Sequence, residues 1–383
     1  MDFDLNDEQR QLKDSLERLL ADTYGDLNQR LGYLKEPNGY SAKLWQQYAD
    51  LGLLGIPFAE EHGGLGQGLT ETMIVAEAFG RALAVEPYFA TVVLGGGALR
   101  HANNTALLAE LVPAIVAGNL TLALAHQERQ ARYDLADTAT TARADARGGY
   151  TLEGEKCVVL AGGSADQLIV SARAAGERRE RGGIGLFLVD GKANGVTRRD
   201  YPTQDGFRAA DIALSAVRVG PEGVLAGPER GLAVLERVVD EAIAALAAES
   251  VGAMAALNEL TVDYLKTRKQ FGVPIGSFQV LQHKAVDMFT ALEQARSMAY
   301  YATMMAAEPE MSARHKAIAA AKVQVGRSAR FVGETAIQLH GGIGMTMEYK
   351  AGHYFKRLTM IDLAFGDADH HLRALAKAGG LSS

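Results

Sequence analysis

The chain has 383 residues, 48% hydrophobic and 22% charged, a composition that fits a folded protein of two or three domains. A net charge of −7, with no lysine- or arginine-rich block, argues against nucleic acid or an anionic membrane as a partner. The single Cys157 rules out an internal disulfide and a cysteine-cluster metal site, and no apolar run reaches membrane-spanning length. The opening "MDFDLNDEQRQ" is acidic and polar where a targeting peptide would be basic and then apolar, so a cytoplasmic protein without membrane insertion is expected.

Residues 1–120 read as helices. Asn6 and Gln9 have the spacing of a capping box, and Leu5, Leu12, Leu16 and Leu19 follow at helical intervals. A second helical block around Trp45–Leu54 stops at Gly55 and Pro57, and "PFAEEHGGLGQG" is too rich in glycine to continue it. Helical character resumes near Thr70 and runs to Gly118. The texture then changes over residues 121–228, where "YTLEGEKCVVLAG", "DQLIVSA", "GIGLFLVDG" and "AADIALSAVRVG" are short β-branched segments between glycine and charged turns. Four or more strands without long intervening helices predict an antiparallel sheet or barrel. "RAAGERRERGG" (173–183) reads as a solvated hairpin loop. From residue 229 to 383 the pattern is helical again. Leu232, Leu235, Val239, Ile243, Leu246, Ser250, Met254, Leu257, Thr261 and Tyr264 form one long stripe, read as core, and further helices are expected at 279–306, 312–340 and 368–378.

"QLHGGIGMT" (338–346) follows a predicted helix, not a strand, and Met347 stands where a dinucleotide fingerprint needs its third glycine. No Gly-Lys-Ser/Thr follows, so it is not a Walker A loop. It reads either as a helix C-cap at Gly341 or as an anion-binding run of backbone N–H groups, and the two are compatible. A second stretch, "YLKTRKQFGVPIGSFQVLQHKAVDM" (264–288), ends one helix at Arg268, turns through Gly272, Pro274 and Gly276, and starts another. His370 and His371 are adjacent and point apart on a helix, so they are not a metal-ligand pair.

With "PFAEEHGGLG", the Arg268-x-Gln270-Phe271-Gly272 stretch and the Gln338-Leu339-His340-Gly341-Gly342 loop resemble the acyl-CoA dehydrogenase family over nearly the whole chain. The resemblance implies an α+β fold with an N-terminal helical domain, a middle antiparallel β-barrel domain and a C-terminal four-helix bundle. It implies FAD as cofactor, with Arg268 on the diphosphate, Gln270 and Phe271 beside it, and Gln279 toward the adenosine. Gln338, Leu339, His340, Gly341 and Gly342 then approach the same diphosphate from the other subunit. An acyl-CoA substrate, an electron-transfer flavoprotein as acceptor, and a homo- or hetero-tetramer are implied too.

The resemblance also implies a carboxylate base for the substrate's α-proton. In many members it is the glutamate of Tyr-Glu-Gly-Thr; here "LAFGDADHH" (363–371) sets Gly366 at that place and Asp367 one position later. Asp367 is either the base or the N-cap of the last helix. Other members carry the base on the long helix before the arginine, where the nearest carboxylate, Glu241, lies about 200° from Val239 and is expected to be solvated. Val158 and Leu160 stand where relatives have Trp and Thr, and "LAHQERQARYDL" lacks their glycine–serine turn. An FAD-sharing, non-catalytic subunit and a flavin oxidase or monooxygenase of the same fold are the alternatives.

Overall fold

The computed structural model describes residues 5–379. The chain order is helices, then strands, then helices. The first helices are α1 (Asp7–Tyr24), α2 (Leu27–Tyr33), α3 (Ala42–Asp50), α4 (Leu69–Ala82), α5 (Gly96–Ala102) and α6 (Thr105–Val116). The strands are β1 (Leu122–Ala125), β2 (Thr141–Ala144), β3 (Tyr150–Leu160), β4 (Gln167–Arg173), β5 (Ile184–Asp190), β6 (Val196–Pro202), β7 (Arg208–Val219) and β8 (Val224–Ala226). Then come α7 (Gly231–Thr267), the short pair β9 (Lys269–Gln270) and β10 (Val273–Pro274), α8 (Gln279–Ala306), α9 (Met311–His340), α10 (Lys350–Leu363) and α11 (Ala368–Lys377). Asn6 forms the expected capping box with Gln9. No helix among the described residues is long and apolar enough to cross a membrane.

Two compact units cut across this order. One comprises Tyr33–Gly68 and Val85–Ala242. Its strands run β6-β7-β3-β2-β4-β5-β8, with β1 beside β4. The pairings are antiparallel except β1 with β4 and a single Thr141–Arg173 bridge, both parallel. Leu152, Leu168, Val170, Phe187, Ile212 and Val217 are all fully buried on its inner face, as alternating β-branched and aromatic residues dictate. The 173–183 segment is the expected exposed hairpin loop, joining antiparallel β4 and β5, and it is tied down from its first residue. Arg173 is buried, and its guanidinium donates to six backbone carbonyls, those of Thr138, Ala175, Gly182, Ala136, Arg178 and Glu180. Arg178 and Arg181 are tied to Asp137 and Glu236, each at 2.6 Å.

Of the described residues, the other unit comprises 5–32, Leu69–Ala84 and 243–379. Its core gathers Met254, Leu257, Met288, Leu292, Val332 and Leu358. α4 and α7 touch backbone to backbone through two reciprocal glycines. A Cβ on Gly80 would lie 1.9 Å from the Glu249 carbonyl, and one on Gly252 would lie 1.9 Å from the Glu77 carbonyl. Beside this crossing, Glu249 binds the Arg357 guanidinium through both oxygens, at 2.5 and 2.9 Å. Periodicity does not foreshadow α10, because buried His353 and Arg357 interrupt its apolar stripe.

Candidate active site

The end of α7 turns sharply. Lys269 pairs with Pro274 and Gln270 with Val273, leaving Phe271 and Gly272 at the tip with φ of +55° and +80°. A two-residue hairpin of this twist demands positive φ at both positions. Glycine adopts it freely; phenylalanine does so under strain, which gathers at functional sites. Phe271 is 92% exposed, and Arg268, Gln270 and Gln279 are exposed as well.

α9 stops at His340, where Gly341 takes φ of +62° and its N–H donates to the Ile337 carbonyl. The helix therefore stops where expected, but with ψ of −139° Gly341 lies outside the left-handed helical region. The backbone is also accessible: a Cβ built on Gly341 or Gly342 meets nothing within 4 Å. Gln338 is exposed, whereas Leu339 and His340 are buried and support the loop from beneath. The His340 ring lies 4.7 Å from the Tyr264 ring and 5.1 Å from that of Tyr349. Burial lowers its pKa, so the imidazole is neutral at neutral pH and donates from Nδ1 to the Ala336 carbonyl at 2.8 Å.

Tyr264 accepts the Arg268 N–H one helical turn away. The ring stack therefore sets the arginine turn beside the glycine loop, and one chain presents both. A guanidinium fork, an exposed aromatic ring and two glycines with nothing in front of them form a donor set that fits the diphosphate of a flavin dinucleotide.

Both expected bases make structural contacts. Asp367 is the N-cap of α11, its Oδ1 accepting the His370 N–H at 2.7 Å. Gly366 before it has φ of +107°, and a Cβ there would fall 2.7 Å from ring atoms of both His370 and His371. A glycine followed by a capping residue is also how Tyr-Glu-Gly-Thr ends, since threonine caps helices. If glycine is matched to glycine, the register shifts by one and Phe365, in place of Gly366, falls at the glutamate's position. Phe365 itself sits at φ of +56°, its carbonyl accepting from His371 Nε2 at 3.0 Å.

Glu241 is not solvated, contrary to expectation. It is 4% exposed, because α7 is buried on all sides from Val238 to Ala248. Its oxygens accept from His101 Nε2 at 2.7 Å and Arg100 Nη2 at 2.8 Å, with Arg237 at 3.6 Å. Burial alone would raise its pKa, but His101 and Arg100 outweigh burial and hold it at about 2. A general base works best near the operating pH, so this carboxylate is an anchor.

The β unit holds a network that no local pattern in the sequence announces. Lys156 on β3 is 1% exposed, and its ammonium donates to Glu128 at 2.6 Å and Ser171 at 3.1 Å. Glu128 also accepts from the N–H groups of Ala139 and Thr140 and from Gln130. It thus pins the segment that lacks the glycine–serine turn against β3. Burial opposes its charge, yet Lys156 and these donors hold its pKa at about 2. Lys156 follows Glu153 and Glu155 on the same strand, so in the sequence it passes for one more solvated charge. Next to it Val158, at φ of +52° and 39% exposed, rides a bulge beside a cleft of about 390 Å³ lined by Arg129, Cys157, Arg199 and Asp211.

A helix–sheet–helix chain whose C-terminal helices present an arginine turn and an open glycine loop has the makings of a flavin-dependent oxidoreductase. The sequence matches the N-terminal, middle and C-terminal domain models of acyl-CoA dehydrogenase over residues 6–119, 123–217 and 229–380. It is 26% identical to the probable acyl-CoA dehydrogenase YngJ of Bacillus subtilis, covering 98% of this chain and 99% of that protein. It is 28% identical to the mitochondrial isovaleryl-CoA dehydrogenase of Solanum tuberosum, covering 95% and 88%. A solved Tcur3481-Tcur3483 steroid ACAD variant superposes with a TM-score of 0.86 at 30% identity, over 98% of this chain and 99% of that one. Butyryl-CoA dehydrogenase of Megasphaera elsdenii has the same fold, with a TM-score of 0.88 at 24% identity over 99% of each chain. The chain belongs to the acyl-CoA dehydrogenase family, and with it to the FAD-binding oxidoreductases.

Proposed function

We propose that this chain acts in the α,β-dehydrogenation of an acyl-CoA thioester in the cytoplasm, within an oligomer, and that its electrons pass to an electron-transfer flavoprotein. The observation that carries the reading is the Tyr264–His340 stack, which joins Arg268 to the Gly341–Gly342 loop on one edge. FAD, when bound, supplies the hydride acceptor. Arg268 supplies a planar fork for the diphosphate, Phe271 an apolar surface, and the two glycines a close backbone approach. Proton removal from the thioester requires a carboxylate shielded from water. The test is an anaerobic titration of the yellow protein with straight-chain, branched and steroid side-chain acyl-CoA thioesters, the last because one relative is a steroid ACAD. Bleaching of the flavin band by one class supports the reading; no bleaching by any class, in a flavin-loaded preparation, refutes it.

A second reading is a subunit that shares FAD while a homologous chain supplies the base. It is favoured by Phe365 at the glutamate's place and by the capping role of Asp367. Phe365→Glu then separates the two. If the base is missing, this substitution speeds flavin bleaching in the chain purified alone; if the chain already has a base, it does not.

A further inference from the structure

The turn between α10 and α11 is pinned from several sides, and one pin comes from a different helix. The last carbonyls of any helix lack a partner within the helix. Here Lys322 of α9 reaches two of them, with Nζ 2.5 Å from the Ile361 carbonyl and 3.1 Å from that of Asp362. An ammonium group at this end also complements the helix dipole. Lys322 is 2% exposed, and an amine that deep is tolerated only when its bonds are made. One turn further along α9, Gly326 leaves room for the Asp362 carboxylate: a Cβ there would lie 2.2 Å from Oδ1. The Ala368 N–H at the start of α11 faces Asp362 and favours its charged form, against the burial that raises its pKa.

Between these pins Phe365 and Gly366 both hold positive φ. For phenylalanine that conformation persists only where the surroundings over-determine it. Asp367 and His371 grip the turn from the α11 side. On the α10 side Lys322 grips it from outside.

We propose that Lys322 is a positioning residue, which by holding the Ile361 and Asp362 carbonyls fixes the Phe365–Asp367 turn at the border of the reaction centre. That this turn borders the chemistry rests on the function proposed above. The charged groups facing the ammonium are Asp362 of α10 and Asp367 of the turn, while Arg330 of α9 acts on Asp362 in turn. Burial lowers the lysine's pKa to about 8 against the pull of the two aspartates. The hold on the turn therefore weakens as pH rises through that value, while the caps at Asp367 and His371 stay in place.

The experiment is amide hydrogen exchange on the flavin-loaded protein, expressed as protection factors so that the intrinsic pH dependence cancels. Wild type, Lys322→Met and Lys322→Arg are compared at pH 7 and pH 9. In wild type, protection over residues 364–371 should fall by about five- to thirty-fold between the two pH values, the range a charge at a partly buried helix end accounts for. In Lys322→Met it should already be low at pH 7 and show no further fall. Lys322→Arg should restore protection and abolish the pH step, because arginine stays charged. The proposal is overturned if the wild-type segment shows no step. It is equally overturned if Lys322→Met loosens α9, α10 and α11 uniformly. Should the methionine variant fail to fold, the wild-type step and the arginine variant still decide. Thioester bleaching of the same wild-type sample tests the proposed function separately: its failure would sink that reading and leave the exchange result for Lys322 standing.

Discussion

Buried Glu241 meets the half-buried His101 at 2.7 Å, and the same carboxylate binds Arg100 at 2.8 Å. The depressed carboxylate pKa fixes the sign of its pH dependence. A group held at about 2 when folded, against an ordinary 4.5, contributes stability that is complete above 4.5 and disappears as pH falls through about 2. Glu241→Gln leaves the half-buried Arg100 guanidinium without its anion and so lowers stability. A markedly lower denaturant midpoint at pH 7 is expected, and the gap to wild type should close near pH 2. An unchanged midpoint at pH 7 would show that these contacts contribute nothing.

Asp367→Asn separates capping from chemistry. Asparagine caps helices about as well as aspartate, so thermal stability and flavin content should match wild type. Because the carboxylate serves the helix, thioester-driven bleaching should stay within a few-fold. A loss on the order of 10²–10⁴ would return Asp367 to the role of general base.

Arg268→Ala should lower the flavin-to-protein ratio while leaving the fold intact, since the side chain is exposed. His340→Ala acts at one remove, by loosening the stack with Tyr264 and Tyr349. It should also shed flavin, together with some stability. Retention of full flavin content by both variants, measured by absorbance after gel filtration, would detach the Arg268–Gly341 edge from the cofactor.

Gly252→Ala and Gly80→Ala each push a methyl into a backbone carbonyl, where no rotamer offers relief. Each should destabilise by about 1–3 kcal/mol, the usual cost of overpacking. The double variant should cost less than the sum, because one separation of α4 from α7 relieves both clashes. Strict additivity in urea titrations would mean that the two contacts are independent.

The features legible in the sequence are those that local pattern controls. The Asn6–Gln9 box, the β-branched runs of β3, β4, β5 and β7 and the limits of α8 and α9 follow from residues a few positions apart. The arginine hairpin and glycine loop can be read because glycine marks positive φ. The features that stay hidden depend on partners far along the chain. Glu241 looks solvated when its angle is judged against one apolar stripe, whereas α7 is covered all round there. Lys156 and Glu128 are 28 residues apart, and nothing local announces their pairing. The register at Phe365 rests on two backbone angles and a cap, none of which a one-letter string displays.

Arg173 carries a consequence for how the 174–183 segment can change over time. Its guanidinium is bound by main-chain oxygens, a feature that every amino acid offers regardless of its side chain. The shape of that segment is therefore encoded by one residue outside it. Apart from Gly176 and Gly183, which hold positive φ, its letters are left free to drift, to swap Arg178 or Arg181 for other polar residues, and to acquire new contacts.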